Sequence, residues 1–193
     1  MNKLTYTLAL ALLGLFVMQG CAPVVVGGAA TGAAVVHDRR SAGTALDDQT
    51  IELQAVSALL KAGTLKERGN FSTTSYNRVA LLTGEADSEG DRQAYADLVK
   101  RIELVRRVVN EIKIAPKASL SEESKDVYLT TRVKLALFDI KLPDFDPTRV
   151  KIVTNRSVVY LMGMVTTEEA DAVVEKTRFV RGVKQVVKVF EYL

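Results

Sequence analysis

Three blocks of this chain occur twice, in the same order and at nearly the same spacing. Val79-Ala80-Leu81-Leu82-Thr83-Gly84 returns as Val158-Val159-Tyr160-Leu161-Met162-Gly163, an offset of 79. Val56 and Leu60 return as Val133 and Leu137 at an offset of 77. Val105-Arg106-Arg107-Val108-Val109 returns as Val183-Lys184-Gln185-Val186-Val187 at an offset of 78. Small loop insertions produce such drift, and a repeat fixes the architecture before any single element is assigned. A copy of about 65 to 70 residues buries little core by itself, so the two copies are expected to pack together.

Each copy reads in the same way. Helical spacing runs over 49–63 and 123–140, and in the latter Leu129, Val133, Ala136, Leu137 and Ile140 share one face. Two short strands follow, 70–76 with 78–85 and 149–155 with 157–165, joined by the polar turns Asn77-Arg78 and Asn155-Arg156-Ser157. A second helix follows, opened in the later copy by Thr166 or Thr167 with Glu168 and Glu169 in its first turn. Closing strands span 105–114 and 183–192. The expected fold is α+β, two tandem α-β-β-α-β units over 47–115 and 122–193, with Ala115–Ser121 as linker.

Composition removes several function classes. The net charge of +3 is spread along the chain, unlike the clustered basic surface of a nucleic-acid binder. The only histidine, His37, and the only cysteine, Cys21, both precede the repeats. Cys–His and Ser–His–Asp chemistry and zinc sites built from His and Cys are therefore excluded from the body. No catalytic residue, metal site, cofactor or small-molecule substrate is expected. Asp144 and Asp146, set among Pro143, Phe145 and Pro147, read as turn residues. Glu122-Glu123 and Glu168-Glu169 read as helix-start charges. Lys100-Arg101 with Arg106-Arg107, the densest basic run, reads as a solvated helix end or as a contact for lipid phosphate or an acidic partner.

The first 46 residues follow other rules. Lys3, the apolar run Leu8–Val17 and the small residues before Cys21 have the layout of a secretory signal over 1–20, too short to span a bilayer. Gly20-Cys21 resembles the lipobox of bacterial lipoproteins. That resemblance implies cleavage before Cys21, acylation of its thiol and amine with palmitate-type chains, and permanent anchoring. Ala22, rather than Asp, implies the outer membrane, with the body facing the periplasm. Residues 21–46, rich in Gly, Ala and Val up to Ala45, read as a flexible tether.

Leu161-Met162-Gly163 followed by a helix, and Gly182-Val183-Lys184-Gln185-Val186 after it, resemble the marks of the BON family. The first copy has Leu81-Leu82-Thr83-Gly84 but places Leu104 where the second glycine belongs. Gly84, Gly163 and Gly182 are accordingly expected to permit tight backbone turns. The resemblance covers residues 47–193.

Duplicated units share a fold, so their differences point to divided labour. At 100° per residue, Tyr128, Thr131, Leu135 and Phe138 lie opposite the core stripe, with Arg132 and Lys134 beside them. The first copy offers Ile51, Ala58 and Lys61, a weaker surface. Such a stripe suits the headgroup level of an anionic bilayer, or it packs against the first copy; spacing leaves both open. The resemblance implies that two-BON outer-membrane lipoproteins bind anionic phospholipid through this helix. That assigns Tyr128, Arg132, Val133, Leu135 and Phe138 to lipid, although Val133 also sits on the core stripe. The implied role is envelope integrity, near division sites. The alternative is an adaptor using the same face to dock on an envelope protein assembly.

Overall fold

The computed structural model describes residues 38–193. The first unit contains helix α1 (Ala42–Lys61), a 3-10 segment (Gly63–Arg68), strands β1 (Gly69–Tyr76) and β2 (Val79–Ala86), helix α2 (Glu89–Lys100), and strands β3 (Arg107–Asn110) and β4 (Lys113–Ile114). The second contains α3 (Leu120–Leu137), a 3-10 turn (Pro147–Arg149), β5 (Lys151–Asn155), β6 (Val158–Val165), α4 (Thr167–Arg178) and β7 (Gln185–Tyr192). In each sheet the middle strand pairs antiparallel with the strand before it and parallel with the strand after α2 or α4. The α-β-β-α-β repeat is thus present in both units.

The central strands β2 and β6 are largely buried on both faces, and this sets the packing. Ala80, Leu82 and Ala86 meet Ile51 and Ala55 of α1 and Tyr95 and Val99 of α2. Val159, Leu161 and Val165 meet Leu129, Val133 and Leu137 of α3 and Val173 of α4. Alternate residues point the other way. Tyr76, Val79 and Leu81 join Tyr160, Met162 and Val189 in a third core between the sheets. The units therefore pack sheet against sheet, with helices on the two outer faces.

Ion pairs close the seam between the units. Lys151 Nζ lies 2.8 Å from Glu52 Oε1, and Arg106 pairs with Glu191. Fully buried Glu85 faces Arg156 Nη1 at 3.5 Å and accepts from Asn155 Nδ2 at 3.3 Å. Arg106 of the densest basic run thus pairs across the seam.

Each hairpin turns through two residues, Asn77-Arg78 and Arg156-Ser157, all four with positive φ and none glycine. Such a turn normally recruits Asn-Gly. Here a helix carboxylate holds it. Asp48 accepts from the backbone N–H of Asn77 and Arg78, both at 2.7 Å. Asp126 accepts from those of Arg156 and Ser157 at 2.6 and 2.8 Å.

Asp48 and Asp126 are 78 apart and correct the register of the first helices. The counterparts of Leu129, Val133 and Leu137 are Ile51, Ala55 and Leu59, whereas Val56 and Leu60 are exposed. Ile51 is core, so the first-copy surface expected at Ile51, Ala58 and Lys61 is instead Thr50, Ser57 and Leu60.

Three further expectations change. Residues 42–46, assigned to the tether, form the first turn of α1, where Ser41 Oγ accepts from Thr44 N at 3.0 Å. The closing strand of the first unit breaks at Glu111–Ile112, because Ile112 turns into the core. Gly84 and Gly163 lie within strands rather than at turns. A Cβ on Gly84 (φ +112°) would meet Asn70 O at 1.8 Å, and one on Gly163 would meet Arg149 O at 2.9 Å, so both admit a neighbouring backbone. Gly182, φ +108°, does occupy the helix-to-strand turn. The signal over 1–20, Cys21, His37 and the tether up to 37 lie outside the described residues.

Candidate functional site

Helix α3 carries the candidate surface, and its sequence explains its rigidity. Ser119 caps it in a reciprocal box with Glu122: Glu122 N donates to Ser119 Oγ at 3.3 Å, and Ser119 N donates to Glu122 Oε2 at 2.8 Å. The Ser119 backbone and hydroxyl donors hold the Glu122 carboxyl below its ordinary value. Leu129, Val133 and Leu137 bury one side, Asp126 ties the helix to the β5–β6 turn, and Thr130 Oγ1 donates to Thr154 Oγ1 at 2.7 Å.

The opposite side is open. Val127, Tyr128, Leu135 and Phe138 are 60–69% exposed, and Leu120 is 82% exposed. At 100° per residue they fall within an arc of about 100°, centred away from the core. Tyr128, Leu135 and Phe138 are therefore not packed against the first unit. Arg132 stands on one flank of the stripe, its guanidinium carbon 5.9 Å from the Tyr128 ring centre, and Lys134 stands on the other. Asp139, just past the helix, pairs with Lys176 at 3.2 Å. Val133 is corrected: wholly buried, it positions the helix and presents nothing to a ligand.

The first unit has its own exposed stripe, which sequence spacing at an offset of 77 concealed. Leu46, Leu53, Val56 and Leu60 project from α1. It is purely aliphatic, with Asp47, Glu52 and Lys61 around it.

The segment entering α1 is also engaged. Arg39 Nη1 and Nη2 donate to Glu169 Oε2 and Oε1 at 2.6 and 2.8 Å, and Nη1 donates to Met164 O at 2.9 Å. Arg40 Nη1 donates to Asp48 Oδ2 at 2.7 Å, and the guanidinium stacks 4.0 Å from the Tyr76 ring centre. Burial alone would raise the Glu169 carboxyl, but Arg39 and the Thr166 N–H outweigh it and hold it below the ordinary value. Asp38 is held low in the same way, its desolvation outweighed by Arg40. These residues bridge the two units at a seam that composition had marked as tether.

The weaker sequence candidates resolve into structure. Asp146 Oδ1 accepts from Thr148 N at 2.8 Å, and Asp144 takes a positive φ in the same loop. Glu169 completes a capping box with Thr166. Among the described residues no cluster of His, Cys, Asp and Glu has metal-binding geometry, and no helix is long and apolar enough to cross a membrane.

The family model described as BON domain matches residues 47–116 and again 125–193. The chain is 37% identical over 187 residues to the outer membrane lipoprotein DolP of Haemophilus influenzae, covering 96% of this chain and 95% of that one. It is 34% identical over 156 residues to a 21 kDa hemolysin of Actinobacillus pleuropneumoniae, covering 81% and 79%. CdsD, a structural protein of the Chlamydia trachomatis type III secretion system, aligns at a TM-score of 0.31 and 11% identity over 72% of this chain and 90% of that one, too low to carry an argument. The two matched segments are the two units that pack sheet to sheet, and the first relative aligns end to end. The chain therefore belongs to the BON-domain family, as a DolP-like outer-membrane lipoprotein of the cell envelope with two BON domains.

Proposed function

We propose that this protein is held at the outer membrane by acylated Cys21 and binds anionic phospholipid through the outer face of α3, supporting envelope integrity at sites where such lipid collects, division sites among them. The observation that carries the reading is the exposure of Tyr128, Leu135 and Phe138 on a helix whose other face is fixed in the core. Tyr128 offers an apolar ring with a polar tip at headgroup depth, Leu135 and Phe138 enter the acyl boundary, and Arg132 and Lys134 meet phosphate. Each nearby cation adds about 1 kcal/mol toward an anionic surface. The two contacts are bivalent: the anchor raises the local lipid concentration, so a weak helix contact suffices. The protein acts by binding rather than by catalysis.

The test uses the chain from residue 21 carrying Cys21→Ser, which removes the acylation site and retains every core residue. This protein should co-sediment with vesicles of phosphatidylglycerol in phosphatidylcholine and not with phosphatidylcholine alone. Leu135→Glu with Phe138→Glu should weaken binding more than tenfold, since burying a Leu or Phe side chain contributes about 1.5–3 kcal/mol. Unchanged sedimentation by a folded double variant would refute the lipid reading and favour a protein-docking adaptor.

A further inference from the structure

Beside the stripe, α3, the β5–β6 turn and the α4–β7 loop enclose a pocket of about 390 Å³. Lys125, Tyr128, Arg132, Ser157, Arg181 and Gly182 line it around Leu129, with no carboxylate among them. Among the described residues none of the three cations makes an ion pair within 4 Å; Lys125 attracts the Glu122 carboxylate only at longer range, and Arg132 stands over the Tyr128 ring. Arg181 lies far from α3 in sequence and reaches the pocket only through the fold.

The duplication supplies an internal comparison. In the register fixed by Asp48 and Asp126, the first unit has Asp47, Gln54 and Glu103 where the second has Lys125, Arg132 and Arg181. Its turn residue Arg78, counterpart of Ser157, is already closed by Asp47 at 2.6 Å. The floor differs too. Gly182 leaves the space before Leu129 open, where even a Cβ would stand 3.6 Å from Leu129 Cδ1. The first unit has Leu104 there, packed against its own core. One fold thus carries these positions twice: in the first unit Asp47 is spent on Arg78, and Gln54 and Glu103 line an open pocket with Lys61 and Arg101; in the second, three cations share a pocket with no carboxylate.

The geometry points to a phosphate-binding subsite: the pocket of Lys125, Arg132 and Arg181 seats the phosphate group of the anionic lipid whose apolar part meets the Tyr128–Phe138 stripe. This rests on the lipid reading and deepens it by placing the headgroup off the helix, against Arg181 and the Ser157 turn. A phosphodiester has the matching chemistry: several acceptor oxygens for guanidinium and ammonium donors.

The same Cys21→Ser protein tests it in two arms. In the vesicle arm, Arg181→Glu and Lys125→Glu should each weaken binding to phosphatidylglycerol vesicles about tenfold or more, from cation loss and reversal together. Arg181→Lys should stay within about threefold, and Lys66→Glu, an equal charge change on an exposed residue of the first unit, within about twofold. In the soluble arm, glycerol 3-phosphate should shift the amide signals of Ser157, Arg181 and Gly182 saturably, and lose that effect in Arg181→Glu. If Arg181→Glu behaves like Lys66→Glu while the Leu135 and Phe138 variants still abolish sedimentation, the subsite is overturned and the lipid reading stands. If the unsubstituted protein ignores vesicles yet shows the saturable shifts, the lipid reading fails and the subsite holds for a soluble phosphate ester. Absence of shifts in that case overturns the subsite as well.

Discussion

Replacing Asp126 or Asp48 by alanine should unlock a hairpin from its helix, and the two losses should differ in a way the structure dictates. Asp126 accepts two backbone N–H groups, from Arg156 and Ser157. Asp48 accepts the equivalent pair and also Ser75 Oγ at 2.6 Å and Arg40 Nη1 at 2.7 Å. A hydrogen bond to a charged group contributes about 1.5–3 kcal/mol, and the partly accessible turn amides recover part of that from water. Asp126→Ala should therefore cost about 2 kcal/mol and Asp48→Ala about 3–4 kcal/mol, the excess coming from Ser75 and Arg40. The assay is urea unfolding followed by circular dichroism, reading midpoint and slope. A second background isolates the cause. Arg156→Asn with Ser157→Gly supplies a sequence that adopts the same turn unaided, so Asp126→Ala in that background should lose less than half its effect. If the Asn-Gly turn leaves the cost of Asp126→Ala unchanged, or if Asp48→Ala costs no more than Asp126→Ala, the carboxylates are not what hold these turns.

Other positions give independent checks. Gly84→Ala should unfold the protein or cost more than about 3 kcal/mol, because its Cβ would stand 1.8 Å from Asn70 O at a positive φ; Gly163→Ala, at 2.9 Å from Arg149 O, should cost less, both read by urea midpoint. Glu169 and Asp38 titrate below their ordinary values of 4.5 and 3.8, so they stabilise the fold at neutral pH and this contribution is lost as pH falls through their depressed values. Arg39→Ala should accordingly lower stability at pH 7 and flatten the loss between pH 5 and 3, as followed by urea midpoints across about that range. Tyr160 is buried between the sheets, its hydroxyl without a hydrogen-bond partner among the described residues and its pKa pushed up to about 12 by desolvation. Tyr160→Phe should be neutral or stabilising by up to about 1 kcal/mol, measured as a thermal midpoint shift.

Much of this fold was legible because its signals are local. Apolar runs in 79–86 and 158–165, polar turn residues just before them, and threonine with glutamate before 170 each report structure within a few residues. The register between the copies was not legible, and the reason is physical. Exposed Val56 and Leu60 imitate core residues, so apolar matching slid the helix by one position, whereas Asp48 and Asp126, whose role is long-range, carry the true offset. The stripe of Tyr128, Leu135 and Phe138 was readable from helical spacing alone. The docking of Arg39 and Arg40 was not, since Glu169 lies 130 residues from Arg39 and only the packed sheets bring them together. The cationic pocket failed for the same reason: Arg181 joins Lys125 and Arg132 only through the sheet.

The sandwich decides which of two exposed stripes can serve a membrane. Each sheet spends one face on its partner sheet, so the helices occupy opposite outer sides, and a planar bilayer meets one of them at a time. The α1 stripe is as apolar as that of α3, so hydrophobic burial does not choose between them. Charge does. Around α3 the pocket carries three cations and no carboxylate, while on α1 Asp47 and Glu103 stand among Arg78, Lys61 and Arg101, close to balance, and at about 1 kcal/mol per charge an anionic surface separates such faces by about 2 kcal/mol. Salt screens that preference within about 10 Å at 0.1 M but leaves the apolar term. On zwitterionic vesicles in high salt the two stripes should therefore be equivalent, any residual binding being shared by Leu53→Glu-sensitive and Phe138→Glu-sensitive modes. On anionic vesicles in low salt, Phe138→Glu should weaken binding and Leu53→Glu should not. If Leu53→Glu weakens binding to anionic vesicles as much as Phe138→Glu does, charge is not selecting the face.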